Sequence, residues 1–290
     1  MARCRRAKLT PMLAFAVVMA YAIPYGVRAR TLAHRGRAVP TWRIWCFGAG
    51  LLVLALATSA PVDSLASSRL TAHMAEHLLI ADFASLLLVL GLTGPILAPL
   101  LRVRPIDRLR ALTHPVAAFT IWALNLWLWH LAVAYQVALR HDLVHVVQHT
   151  CFLVAGMNLW MPLFGPFPKP KWFGLPAQLA YIIAVRLVAA TLANVFIWSG
   201  TVFYPWYGDL GDQSVAGAVM MVEESITTVL LFGWLFMQWM QQGDERQELE
   251  ELAAARGVTV DPERIARAVA AGRGDELRRR LLDPRDASVT

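Results

Sequence analysis

An all-helical membrane protein, a bundle of seven transmembrane helices with a short charged C-terminal tail, is the fold class this sequence predicts. Three observations predict it. Hydrophobic residues make up 57% of the 290, mean hydropathy is +0.49 and charged residues are only 16%, too little polar surface to coat a soluble globule of this length. The apolar residues are gathered into runs of about 17 to 25, the length that crosses a hydrocarbon core of about 30 Å. Basic residues cluster in every second connection between the runs, as the positive-inside rule expects.

The runs fall at 9–27, 42–60, 72–92, 115–138, 143–163, 177–198 and 215–239. The first follows Arg3, Arg5, Arg6 and Lys8 and competes with a signal peptide. No small-residue cleavage site follows it, because the chain reads Ala-Ile-Pro-Tyr-Gly after Tyr21, so a retained span is the reading taken. Arg28, Arg30, Arg35, Arg37 and Arg43 lie between runs one and two. Arg102, Arg104, Arg108 and Arg110 lie between three and four, and Lys169 and Lys171 between five and six. These loops are expected to face the cytoplasm and to touch anionic lipid, not nucleic acid. The alternate connections, holding Asp63 with Arg69, Arg140 with Asp142, and Asp209 with Asp212, are expected outside. The N-terminus is then outside, the C-terminus cytoplasmic, and the setting a bacterial cell membrane.

Two domains are expected: a seven-helix transmembrane domain at 1–242 and a cytoplasmic tail at 243–290. The tail carries 11 acidic and 9 basic residues, so the net charge of +7 comes from the membrane part. Helices are expected at 244–256, stopped by Gly257, and at 262–271, capped by Asp261 with Pro262 at its first position.

His73 with His77, and His145 with His149, are i, i+4 pairs that open runs three and five. Each pair projects two imidazoles from one helix face, a spacing that chelates a metal. Runs three and five point the same way through the membrane, so the pairs sit at one depth and are expected to form a single outward-facing site. His130 lies near the outer end of run four and His141 in the loop after it. Met74 is the methionine closest to the pairs in sequence, and thioether with imidazole suits Cu(I). Cys4, Cys46 and Cys151 make no Cys-x-x-Cys pair, and Cys151 at i+2 from His149 faces elsewhere on its helix.

Deeper in the bilayer lie Asp82, Arg186, Glu223 and Glu224. A lone charge there costs about 2.5–3.5 kcal/mol, so the four are expected to pair as one intramembrane network, Arg186 standing between Asp82 and a glutamate. Asn125, Asn158 and Asn194 are candidates to extend it. The same residues also admit a proton or cation path. No nucleophile–base pair, phosphate loop or dinucleotide motif occurs, so no enzymatic activity is expected.

The ordered set His73-Met74-x-x-His77-Leu78, Trp129-His130 with Tyr135, His145-x-x-x-His149 leading to Phe152 and Trp160-x-Pro162, and Asp212-Gln213 with Ala216-Gly217 and Met220 resembles the CtaG-like caa(3)-type cytochrome c oxidase assembly factors. The resemblance covers about 42–240. It implies a seven-helix membrane protein that acts as a copper metallochaperone, with cytochrome c oxidase subunits and the lipid bilayer as partners. His73, His77, His130, His145, His149 and Asp212 carry the recurring positions of that family. Ala84-Ser85 and Ala132 stand where it usually has proline, and Met220-Met221-Val222-Glu223-Glu224-Ser225 replaces its Met-Trp-x-Pro. Two other functions use the same histidines: a haem-binding membrane redox protein, and a metal or proton transporter.

Overall fold

The computed structural model describes residues 2–270 and 273–282, with backbone only for 2–14, 105–107 and 270. All of the regular structure among them is helical. The chain divides into two compact units, Met1–Ile226 and Thr227–Thr290.

In the first unit α1 (Ala2–His34) is followed by α2 (Thr41–Ala57) and the short α3 (Ala60–Ala66). α4 (Leu70–Leu78) runs through a π-helical turn, Leu79–Ala84, into α5 (Ser85–Gly91). α6 (Gly94–Leu101), α7 (Arg104–Leu109) and a 3₁₀ turn, Arg110–Thr113, make the next connection. α8 (Pro115–His130) and α9 (Ala132–Arg140) precede α10 (Asp142–Phe164), α11 (Leu175–Trp198) and α12 (Leu210–Ala255).

Among the described residues, four helices are long and apolar enough to cross a membrane: Leu70–Gly91, Asp142–Phe164, Leu175–Trp198 and Leu210–Ala255. The number rises to six if each of two bent pairs is one span, not clearly the seven expected. The expected first span falls within α1, and its residues 9–14 lie outside the described side chains. The second and fourth expected spans are not straight rods. α2 and α3 meet at 53°, α8 and α9 at 71°. The break between α8 and α9 needs no proline. Leu131 adopts φ −60°, ψ 134°, an extended conformation that ends one helix and starts the next. Tyr204 donates its hydroxyl to the His130 carbonyl at 2.7 Å, which satisfies the backbone group left at the break.

Close approach of backbones holds the bundle together, as expected where lipid supplies no hydrophobic drive between helices. A Cβ at Gly156 of α10 would lie 2.0 Å from the Ala81 carbonyl of the π-turn, so only glycine lets these two segments touch. Gly91 against Phe47, and Gly50 against Leu88, do the same for α2 and α5. α10 is thereby drawn onto the segment that carries the first histidine pair.

One end of this unit collects the basic loops. Arg28 donates to the Pro95 carbonyl at 3.0 Å, and Arg43 to those of Leu90 and Leu92 at 3.0 and 2.7 Å. Arg108, Arg110 and Lys169 line one common cavity.

In the second unit, the C-terminal part of α12, α13 (Pro262–Ala270) and α14 (Gly274–Leu282) enclose Leu249, Ala253, Ile265, Val269, Leu277 and Leu281. Gly257 takes φ +66° after α12, and Asp261 accepts the Glu263 amide at 2.9 Å, as the sequence led us to expect. The end of the expected 262–271 helix and Gly272 lie outside the described residues. The expected separate helix at 244–256 is instead the continuation of α12. α14 was not expected. Nine residues are too few for an independent helix, and α14 is held by Leu277 and Leu281 in that core and by an Arg278–Glu248 ion pair.

Candidate metal centre

α4 begins at Leu70 with amides that its own sequence does not cap. Asp212 of α12 caps them: its carboxylate accepts from the Leu70 and Thr71 amides, the latter at 3.3 Å, and from the Thr71 hydroxyl at 2.6 Å. A negative group at a helix N-terminus satisfies orphan amides and complements the helix dipole. One turn on, His73 and His77 project from the same face of α4, and both are buried. α10 supplies His145 and His149.

The four imidazoles converge. One ring nitrogen from each of His73, His77, His145 and His149 lies within 4.8 Å of the others. Ring centroids are 4.4 Å apart for His73–His77, 4.1 Å for His145–His149, 5.2 Å for His73–His145 and 5.3 Å for His77–His149. A tetrahedral ion with bonds of about 2.0–2.1 Å separates its donors by about 3.3 Å, which lies between the 2.9 Å of the His73–His77 nitrogens and the 4.8 Å that bounds the group.

The protons can be traced from partners. Tyr207 has one hydroxyl proton and gives it to the Ala66 carbonyl at 2.9 Å, so His73 Nδ1–H donates to Tyr207 at 2.9 Å. The neutral ring then carries its lone pair on Nε2, which accepts the His77 Nε2–H at 2.9 Å and so leaves the His77 lone pair on Nδ1. His77 Nδ1, His145 Nε2 and His149 Nε2 are buried with no hydrogen-bond partner among the described residues. Buried unpartnered nitrogens are costly and rare, and ligation of a cation is a use that explains several at once.

The structure gathers some of the sequence-picked residues and disperses others. His130 is outside the four-nitrogen group. Its ring lies 6.1 Å from that of His77, and its Nδ1 is bonded to the Leu126 carbonyl at 2.7 Å. Met74 is buried in an apolar cluster with Leu70, Tyr135, Phe196 and Tyr204. His141 is exposed at the start of α10. Cys46 and Cys151 are free thiols. Asp212 is the cap of α4, which the sequence left without a role.

Below the histidines, a cavity of about 40 Å³, large enough for ordered water, is lined by His77, His130, Asp82, Arg186, Glu223 and Glu224. Arg186 pairs with Glu223 at 3.9 Å and lies 5.8 Å over the Trp160 ring. The expected network therefore shares one space. Asn158 and Asn194 bond elsewhere, to the carbonyls of Leu112 at 3.2 Å and Ala190 at 2.8 Å.

Residues 23–242 match the model of the Cytochrome c oxidase caa3 assembly factor (Caa3_CtaG) family. The chain belongs to this family. It is also similar to uncharacterized proteins of Mycobacterium bovis and Mycobacterium tuberculosis, each 24% identical over 250 residues, and to one of Mycobacterium leprae, 24% identical over 244. These alignments cover 76%, 76% and 74% of this chain but 37% of each relative, so the chain spans little more than a third of their length. No solved structure matches.

Sequence reasoning missed four polar residues around this family member's histidines. Glu76 is buried, with Oε1 3.8 Å from His149 Nε2 and Oε2 unpartnered among the described residues. The cost of intramembrane charge, which singled out Asp82, applies equally to Glu76 and was the available signal. Gln148 is also buried beside the second pair, without a hydrogen bond from its side chain among the described residues. Tyr207 and Tyr204 come from the α11–α12 loop, and Tyr204 stacks on Tyr135 at 4.0 Å. Nothing local in sequence ties that loop to α4.

Proposed function

We propose that this protein is a membrane copper metallochaperone, holding one copper ion on His73, His77, His145 and His149 and passing it to a haem-copper cytochrome c oxidase during assembly. The convergence of four imidazole nitrogens within 4.8 Å is the observation that supports it best. The family match supports the assembly role. In this reading the basic loops face the cytoplasm, the histidines face outward, the bundle has seven spans and residues 243–290 are cytoplasmic.

The geometry favours a bare ion over haem. A haem needs a planar macrocycle between two axial imidazoles, and rings of α4 and α10 packed with centroids 5.2 Å (His73–His145) and 5.3 Å (His77–His149) apart leave no slot for one. A cation path through the lower cavity is opposed by Arg186, whose positive charge lines it. The bound ion would take its coordination from the four rings. The chain's own part is to hold them: Tyr207 fixes the His73 tautomer, and Asp212 anchors the helix that carries the first pair.

Metal analysis of gently purified full-length protein, with its visible spectrum, tests this. One copper per monomer is expected, with no haem absorption. H77A/H149A should lose the metal, and full retention by that variant refutes the site.

A further inference from the structure

A second cavity, of about 30 Å³, touches the histidine group at His149. It is lined by Val17, Leu54, Thr58, Asp63, Glu76 and His149, with three residues of α10 completing it. Its polar lining differs in burial. His149 lines it with Glu76, whose buried Oε2 has no hydrogen-bond partner among the described residues. Asp63 lines it too, half-buried on α3 in the polar connection between the apolar helices α2 and α4, and so is the more exposed of the two carboxylates.

We propose that Asp63 and Glu76 form the loading port of the metal site. A cation exchanges water for the Asp63 carboxylate at the mouth, moves to Glu76, and is taken over by His149 and the remaining imidazoles. This rests on the four-histidine reading and adds the route and the transient ligands. Geometry and ligand chemistry support it. Glu76 and His149 are already 3.8 Å apart, so transfer needs no rearrangement of helices. A carboxylate is the anionic oxygen donor suited to a partly hydrated cation, whereas the imidazoles are neutral donors better matched to the dehydrated ion. A buried carboxylate is expensive in an apolar bundle, and a cation passing beside it offsets that cost. The other walls are aliphatic or hydroxylic, which leaves the two carboxylates as the strong ligands between the mouth and His149.

Stopped-flow mixing of Cu(II) with purified full-length protein, followed by quenching of tryptophan fluorescence, tests the port. D63N is expected to load at least tenfold more slowly and still reach one ion per monomer. E76Q should load more slowly still, and E76D should recover part of the rate. Wild-type rates in both D63N and E76Q would overturn the port and leave the four-histidine site standing. Absence of any Cu(II) uptake by the wild-type protein would remove the site and the port together. Circular dichroism of each variant separates slow loading from misfolding.

Discussion

The four-histidine group and the acid–base layer beneath it meet on one continuous segment, α4 with the π-turn that follows it. His77 and Asp82 are five residues apart across the π-turn, yet the two regions obey opposite logic. The lower layer contains its own counter-charge: Arg186 lies with Asp82, Glu223 and Glu224 around one cavity. The upper group is four ligands of one kind that share a single hydrogen bond, His73 with His77, reach outward to Tyr207, and keep three buried nitrogens unpartnered among the described residues. A region that neutralises itself is organised to hold a bundle together. A region of like donors is organised to receive something. The π-turn, which follows His77 and carries Asp82, fits this division, because such turns widen a helix and are common beside functional sites.

Substitutions in the two regions should therefore fail in different measurements. R186Q leaves buried carboxylates without their cation and should destabilise the protein by about 3–5 kcal/mol, the range for breaking a buried pair from one side. Thermal unfolding in detergent reads this, and R186Q/E223Q should regain part of the loss while copper per folded monomer stays unchanged. A fall in copper content of the folded fraction would merge the two regions into one. Y207F removes the acceptor that fixes the His73 tautomer. Outer partners of metal-bound histidines are worth about 10–100-fold in affinity, so chelator competition should show weakening in that range with stoichiometry intact. Unchanged affinity would mean that the His73 tautomer is set without Tyr207. D212A should have the smallest effect, about 0.5–2 kcal/mol of stability for a lost helix cap. Its signature is faster amide exchange confined to the first turn of α4, and uniform loosening of the bundle would contradict a local role.

Much of this arrangement was legible in the residues. The i, i+4 spacing put each histidine pair on one face, and the parity of the apolar runs put both pairs at one depth. The cost of intramembrane charge gathered Asp82, Arg186 and the glutamates. The same parity argument placed His130 too close to the ligands, because it could not see that α8 ends there and that its Nδ1 is bonded to its own helix. Glu76 went unread because attention to the histidine spacing hid a charge in the same run.

By itself, the sequence determined the helical class, the polar unit of charged residues at the C-terminus, the two i, i+4 histidine pairs and the family, because these depend on composition and on periodicity within single segments. Only the tertiary structure decided which four histidines converge, that the helices break at 58–59 and 131, and that Asp212, Tyr207 and Glu76 lie beside the histidine segment. Those outcomes depend on contacts between segments as far as 142 positions apart, such as Asp212 with Leu70, and on a single glycine, Gly156, that lets α10 reach the π-turn. Local spacing carries no information about either.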